Sequence, residues 1–376
     1  MLKGIQLQLH AGIGPHPRPV SREIIEALVD VEVTQSKQSV SGCQLTFNLS
    51  HKSKLHDVFL LGQGGLPDIF RIILSVIVNG TSQVLFDGVA TNTEVSPGSQ
   101  PGVSRLTVTG EDLTRIMDYV DRTGFPYPMM SAANRVLFLV SNYAPFGIVP
   151  DIKSLAFQFI PNLLKNIPAH QGTDLAYIRM LAERAGFVFY IEPGKRPKQN
   201  FAYFGPDVNV GQTHRALTVN MDTISNVESL NFSFDSQSAE QPVAYIQEPF
   251  AKTTIPVPIP SLQTIGQPLA KYPPIPRKIR HIKDMESLNW PETAQRLLGE
   301  ALRSQNSARA TGSVDILRYG EILKPRRLVG VRGAGKAYDG KYLVEQVTYS
   351  IKRGSFKQNF TLARNGLGST VRRVRA

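Results

Sequence analysis

With 376 residues, 41% of them hydrophobic and 19% charged, the chain is long enough for two or three domains and too apolar for wholesale disorder. A single cysteine, Cys43, excludes a disulfide scaffold and any multi-cysteine zinc or iron–sulfur site, and no apolar run approaches the ~20 residues of a spanning helix. The net charge of +12 lies wholly in the last third: residues 251–376 hold 23 Lys/Arg against 8 Asp/Glu, and residues 1–250 hold 19 against 22.

The start, Met1 to His10, lacks the apolar core of a signal peptide, so the expectation is a soluble, multidomain chain made in a reducing compartment. The first 120 or so residues read mostly as strands. Ser41–Asn48 alternates, with Cys43, Leu45 and Phe47 on one side and Gln44, Thr46 and Asn48 on the other. Arg71–Val78 meets Thr81–Val89 across Asn79-Gly80, a strong hairpin signal because both turn positions need φ > 0. Ser104–Thr109 is a third strand ending at Gly110, and a short helix is expected from Glu111 to about Asp121.

Prolines 126, 128, 145, 150, 161 and 168 then punctuate short segments, of which Ala132–Asn142 reads as a helix. Thr173–Ala185 is the clearest helix of the chain. Thr173 is placed to cap it, and Leu175, Ile178, Leu181, Ala182 and Ala185 form one apolar face. Gly186 ends it, and Phe187–Ile191 switches to a strand. Nine prolines between 242 and 276 predict an extended arm with no helix and no central strand. A helix resumes from Pro291 to about Arg303, followed by strands over Ser313–Tyr319, Arg327–Val331, Tyr342–Ile351 and Phe356–Ala363.

A faint internal repeat links the two β-rich ends. A shift of 252 positions, without gaps, aligns Asp87-Gly88 with Asp339-Gly340, Val95 with Val347, Gly102 with Gly354, Arg105 with Lys357 and Thr109 with Thr361. Asp-Gly pairs are common turn residues, so the alternatives are chance and two copies of one β unit separated by inserted material.

The chemistry-bearing motifs are weak. Gly330-Val331-Arg332-Gly333-Ala334-Gly335-Lys336 has the spacing of a phosphate-binding loop, but Ala337 follows where a hydroxyl would hold magnesium, and a strand follows rather than a helix. A glycine-rich hairpin connection is the better reading. The seven histidines form no metal pair at helical spacing, and His51 and His56 have two lysines between them. Cys43, on the apolar face of a strand, reads as a buried filler. Glu111-Asp112 is explained by helix-start charge without catalysis. No catalytic residue, cofactor site or metal site is assigned.

The basic excess gathers at Arg277, Lys278, Arg280 and Lys283, then at Lys324, Arg326, Arg327, Arg332 and Lys336, and in the tail at Arg372, Arg373 and Arg375. Such a region suits nucleic acid, an acidic protein partner or an anionic surface. The tail lacks the interleaved aromatics of a single-strand reader, which favours a solvated charged face.

The segment from Gly172 to Phe187 resembles a signature of contractile-tail hub proteins: the late control protein D family of contractile phages and the hub portion of type VI secretion spike proteins. Thr173, Asp174, Tyr177, Ile178, Leu181 and Gly186 occupy the matching places. Thr107–Leu113 and the pair Gly340–Val347 and Phe360–Arg364 are also similar to that pattern, so that the matches span roughly 100 to 365.

The resemblance implies a β-rich α+β chain with two tube-like β-barrel domains, an inserted α+β region and a proline-rich connection. The expected division is a first barrel at 1–122, an inserted α+β domain at 123–212, a second barrel at 213–241 with 305–366, a proline-rich arm and helix at 242–304, and a basic tail at 367–376. Asp87, Gly88 and Gly102 in one barrel and Asp339, Gly340 and Gly354 in the other mark the repeated hairpin. It further implies a homotrimer adapting a sixfold inner tube to a threefold spike, with tube, spike and baseplate proteins as partners and no small-molecule substrate. The spike tip is expected to be a separate protein. Arg326, Arg327, Arg332 and Lys336 are the candidate basic contacts for a partner, and nucleic acid enters only as cargo in a lumen. The expected location is the host cytoplasm during assembly and afterwards the tail or injection particle. The competing reading is a β-rich nucleic-acid-binding module using the basic last third.

Overall fold

The computed structural model describes residues 5–37, 39–61, 69–97, 104–153, 167–207, 213–220, 225–247, 254–259, 269–282, 285, 290–302 and 306–371. Its fold is β-rich α+β, with most strands gathered into one large sheet.

The first β unit holds β1 (Ile5–Ile13), the two-residue β2 (Arg18–Pro19), β3 (Leu28–Ser36), β4 (Gly42–Leu49), β5 (Phe70–Val78), β6 (Thr81–Pro97) and β7 (Ser104–Asp112). Alternation sets the faces: Cys43, Leu45, Phe47 and Leu49 of β4 are buried while Gln44 and Asn48 are exposed. The β5–β6 hairpin turns at Asn79 (φ 50°) and Gly80 (φ 77°), as the dipeptide predicts. Strand β5 is buried almost continuously: Phe70, Ile72, Leu74, Val76 and Val78 enter the main core, and on the other face Arg71 reaches the inserted region at the Phe146 carbonyl.

Where a helix over 111–121 was expected, β7 runs on to Asp112 and only a short 3₁₀ turn, Leu113–Asp118, follows. Asp112 accepts from the Thr114 amide (3.0 Å) and hydroxyl (2.6 Å) and from the Ser41 amide (2.8 Å), which fixes the strand end and caps the turn.

The inserted region contains α2 (Ala132–Ser141; α1 is the short Arg22–Ala27 of the first unit), β8 (Ile148–Ile152), α3 (Asp174–Ala185), β9 (Phe187–Pro193) and β10 (Asn200–Pro206). Its three strands run in the order β8-β10-β9. Its own core joins Val136, Leu139, Leu175, Ile178, Leu181 and Phe204 to Val89, Leu113 and Met117 of the first unit.

The chain continues with β11 (Thr213–Thr218) and β12 (Ser229–Phe234), then an arm of β13 (Glu240–Gln247), β14 (Thr254–Pro258), β15 (Ala270–Tyr272), β16 (Lys278–Ile282) and α4 (Trp290–Leu302). The arm departs from the expectation of a plain extended connection, since β13 is the central strand of a β14-β13-β16 sheet despite Pro242. Pro242 is tolerated because it lies just beyond the β14 ladder, where its carbonyl accepts from the Ile259 amide (2.9 Å). β17 (Ala308–Asp315), α5 (Ile316–Tyr319), β18 (Leu328–Arg332), β19 (Gly340–Lys352), β20 (Ser355–Arg364) and β21 (Leu367–Ser369) complete the chain. The strand expected over 313–319 stops at Asp315, whose side chain caps α5 through the Leu317 amide (2.8 Å).

The two β units share one strand order. In chain order the first uses β1, β3, β4, β5, β6 and β7, arranged β3-β4-β7-β6-β5-β1; the second uses β11, β12, β17, β18, β19 and β20, arranged β12-β17-β20-β19-β18-β11. They differ in one pairing: β1–β5 is antiparallel and β11–β18 parallel. Each long hairpin carries a bulge at the matching step, at Thr91 opposite Thr109/Gly110 and at Glu345 opposite Thr361/Leu362. The units meet where β3 pairs with β19, and one hydrophobic core runs through both.

This register corrects the ungapped alignment of the repeat. The shift of 252 holds for β7 and β20, but on the partner strands Thr91 matches Glu345, a shift of 254. Asp87 and Gly88 therefore stand opposite the places of Lys341 and Tyr342, not of Asp339 and Gly340. The second hairpin turn is two residues shorter, and a slip of two preserves which face each side chain points to. Gly354 (φ 84°) sits in that turn, while Gly102 lies outside the described residues.

Candidate functional site

Among the described residues no group of His, Cys, Asp and Glu is placed to hold a metal ion, and the polar side chains of interest tie elements together. The strongest tie joins the first β unit to the inserted region. Arg71 on β5 and Asp87 on β6 form a bidentate pair, with both N–O distances 2.8 Å and side-chain exposures of 0% and 1%. The guanidinium also donates to the carbonyls of Pro15 (2.6 Å) and Phe146 (2.8 Å), and the Asn200 amide donates to Asp87 Oδ2 (2.9 Å). Gly88, next to Asp87, has no room for a side chain: a Cβ there would stand 2.1 Å from the Glu111 carbonyl oxygen.

Asp339 and Gly340 do a different job. The Asp339 carboxylate accepts from the Ala334 amide (2.8 Å) and closes the loop between β18 and β19. Buried Arg364 donates to the carbonyls of Asp339 (2.9 Å), Ala337 (2.8 Å) and Gly366 (2.9 Å) and lies 4.4 Å over the Tyr342 ring. Burial lowers its pKa, outweighing the opposing pull of Tyr342 and Asp339. Gly340 (φ 137°) gives Arg364 its space, as a Cβ there would meet Nη1 at 2.7 Å.

The signature residues all serve helix α3. The Thr173 hydroxyl accepts from the Ala176 amide (3.2 Å) as the cap and donates to Asp118 (2.7 Å) in the preceding 3₁₀ turn. Asp174, 1% exposed, accepts from the Tyr143 hydroxyl (2.7 Å) and lies 3.5 Å from both Arg122 and His170 Nε2. The His170 ring lies between that carboxylate, on its Nε2 side, and the Tyr127 hydroxyl, 2.7 Å from its Nδ1. Burial, then the neighbouring Tyr177 and Asp174, push Tyr127 up to about 12. Tyr177 stacks on His170 (4.5 Å between centroids) and accepts from Arg135 (2.6 Å). Ile178 and Leu181 enter the core of the inserted region. Gly186 takes the left-handed φ of 65° and lets α3 cross α4, because a Cβ there would lie 2.4 Å from Gly299 Cα.

The expected basic contacts divide. Arg326 is corrected: it faces inward, donating to the Ser36 carbonyl (2.8 Å) and lying 3.7 Å over the Tyr190 ring, and burial lowers its pKa. Arg327 is half-exposed, 3.5 Å from Glu192, and Arg332 donates to the Thr218 hydroxyl (2.8 Å). Lys336 alone of the four is exposed. The loop that mimics a phosphate-binding motif joins antiparallel β18 to β19 through Gly333 (φ 86°) and Gly335 (φ 90°), so no helix N-terminus faces it.

An open cleft of about 500 Å3 between α3, β9 and α4 is lined by Arg179 and by two sets of paired charges, Lys37 with Asp207 and Arg296 with Glu183 and Glu300. His214 is bracketed by the Lys324 amide, which donates to Nε2 (3.0 Å), and by the Glu321 carboxylate 2.6 Å from Nδ1. Burial pushes the Cys43 thiol up, in keeping with an inert core position. The sequence singled out Asp87 and Asp174 but not their partners Arg71, Tyr127 and His170, although Arg71 inside the apolar run Phe70–Val78 is a visible anomaly.

No protein-family model and no curated protein matches the chain. Solved structures do. A tail protein from Neisseria meningitidis superimposes with a TM-score of 0.58 at 12% identity, covering 97% of this chain and 98% of that one. The 43 kDa tail protein of prophage MuSo2 from Shewanella oneidensis gives 0.58 at 13% identity, covering 96% and 99%. An Escherichia coli component of the type VI secretion system, described as structurally similar to the bacteriophage T4 tail proteins gp27 and gp5, gives a TM-score of 0.51 at 14% identity, covering 95% and 76%. The chain has the fold of phage tail proteins. It shares that fold with type VI secretion components, as the hub-protein resemblance implies.

Proposed function

We propose that this chain is the structural hub of a contractile phage tail or a related injection particle, of the late control protein D kind. In this reading each β unit is a tube-like barrel, and three copies present six similar units. The threefold ring thereby adapts a sixfold inner tube on one side to a threefold spike on the other and nucleates the first tube layer. The domain division is that expected from the sequence, with the inserted region and the arm as docking modules between units.

The observation that carries this reading is the duplication: two six-stranded units of one strand order and chain order, alike in all but one pairing, with bulges at matching steps, in a single polypeptide. The polar groups point the same way, since they join elements rather than converge on a substrate. The nucleic-acid alternative loses support, because Arg326, Arg327 and Arg332 are engaged within the chain.

Light scattering on the purified chain, alone and with its tube and spike proteins, tests the proposal. A stable trimer is the expected result, with each contacting pair burying roughly 2,000 Å2 or more. A chain that stays monomeric with both partners present contradicts it. Tight DNA binding with a steep salt dependence would instead favour the alternative.

A further inference from the structure

The arm passes from the second β unit to its own small sheet through a segment that no core covers. Strand β15 is held by β21, with Ala270 opposite Ser369 and Tyr272 opposite Leu367. Strand β16 is held parallel to β13, from Lys278 opposite Glu240 to Ile282 opposite Ala244. Between these anchors residues 273–277 read Pro-Pro-Ile-Pro-Arg and carry neither helix nor strand. Each proline fixes its own φ and holds the residue before it extended, so Tyr272, Pro273 and Ile275 are constrained as well. Such a segment is ordered before it meets a partner and loses little conformational freedom on binding.

Its apolar side chains lie in water. Ile275 is 82% exposed, Ile279 67% and Tyr272 62%, more than any other large hydrophobic side chain among the described residues. All three fall between 272 and 279, which marks one surface rather than scattered exposure. Alternation along β16 turns Arg280 and Ile282 inward: Arg280 meets Glu240 (3.3 Å) and Glu300 (2.6 Å), and Ile282 joins a small core with Ala244 and Ala301. Ile279 and His281 face outward, the His281 ring 5.2 Å from that of Tyr245. Residues 269–282 hold no Asp or Glu, and Lys271, Arg277 and Lys278 are exposed with no ion pair among the described residues.

We propose that residues 271–281 are a docking strap whose partner is another protein of the particle, one with an apolar groove rimmed by Asp and Glu. The proposal rests on the particle reading above and adds the chemistry of one contact. Extended proline-rich segments bind in apolar, aromatic-lined grooves, and rim carboxylates would meet Arg277 and Lys278. Nucleic acid suits the strap poorly, since two isoleucines gain nothing against phosphates and Tyr272 is its only stacking ring. A lipid surface suits it no better, because an extended backbone leaves its N–H and C=O groups unpaired there. A second copy of this chain offers no match in its clefts. One of about 530 Å3, floored by Ile25 and Ile351, is rimmed by Arg22, Lys352 and Arg353 against Glu26 alone, and the cleft beside α3 has its carboxylates already paired.

Photocross-linking in the assembled particle tests the strap. Benzoylphenylalanine in place of Ile275 sits in solvent and leaves the packing untouched. Irradiated particles should give one adduct with a protein other than this chain, and mass spectrometry should place the link in a groove bordered by carboxylates. Arg277→Glu with Lys278→Glu should lower the adduct about tenfold, and Ile279→Ser should lower it too. Arg18→Glu with Lys52→Glu, an equal charge change at exposed sites elsewhere, should leave it unchanged, and all these variants should melt with the native chain. An adduct with nucleic acid, lipid or another copy of this chain overturns the strap. So does an adduct indifferent to the charge reversal, or none at all in particles that contain the chain; the hub reading survives each of these. Particles that lack the chain remove both.

Discussion

Replacing Asp87 with alanine strands a guanidinium that water does not reach. Among the described residues, Arg71 would lose two of its four hydrogen bonds and its only carboxylate, keeping the carbonyls of Pro15 and Phe146, and Asn200 would lose an acceptor. Removing one partner of a buried pair costs about 3–5 kcal/mol, and at ~2–4 °C per kcal/mol for a domain of ~150–250 residues the melting temperature should fall by roughly 10 °C. Replacing both residues with apolar ones of similar size, Arg71→Met with Asp87→Leu, should recover much of that loss, because no unpaired charge remains. Thermal unfolding and urea titration of Asp87→Ala, of Arg71→Met and Asp87→Leu singly and of the double variant at neutral pH measure the cycle. A loss below about 1 kcal/mol for Asp87→Ala, or a double variant as unstable as the two single losses added, would refute the reasoning.

Three further outcomes follow from the same structure. Thr173→Ala should cost about 1–2 kcal/mol, through the lost cap of α3 and the lost bond to Asp118, and urea denaturation reads it; Thr173→Ser should restore most of it. Gly186→Ala should cost more than Gly80→Ala, since both residues have positive φ but only Gly186 abuts another backbone, at Gly299; thermal unfolding of the two variants ranks them. Half-burial acts to raise the Glu321 carboxyl, but the His214 ring and the Arg215 amide outweigh it and hold the group below its ordinary 4.5. A depressed carboxylate stabilises the fold above that value and loses its effect as pH falls through the folded pKa. The stability gap between the native chain and Glu321→Gln should therefore be full near neutral pH and close on acidification below 4.5, as urea midpoints across pH will show.

Local signals carried the individual elements. Thr173 and Gly186 bound α3 because a capping hydroxyl and a left-handed glycine act within a few residues of the chain. Asn79-Gly80 fixed its hairpin for the same reason, and the alternation around Cys43 chose the inner face of β4. The short 3₁₀ turn after Asp112 and the capped α5 after Asp315 escaped because one side chain decided each, and both segments read equally well as regular elements. Pro242 showed the limit of residue-type rules. Its effect depended on whether a ladder partner stood beside it, which no local pattern encodes.

The sequence by itself determined a β-rich chain with a capped helix between two similar β stretches and a basic last third. Tertiary structure alone decided that β3 pairs with β19 across more than 300 residues, that Arg326 folds inward over Tyr190, and that the repeat is offset by two on its long strand. Helix caps and turns are set by neighbours in the chain. Strand partners and buried ion pairs are set by whichever distant surfaces the core brings together, and an alternating strand fits registers two residues apart equally well.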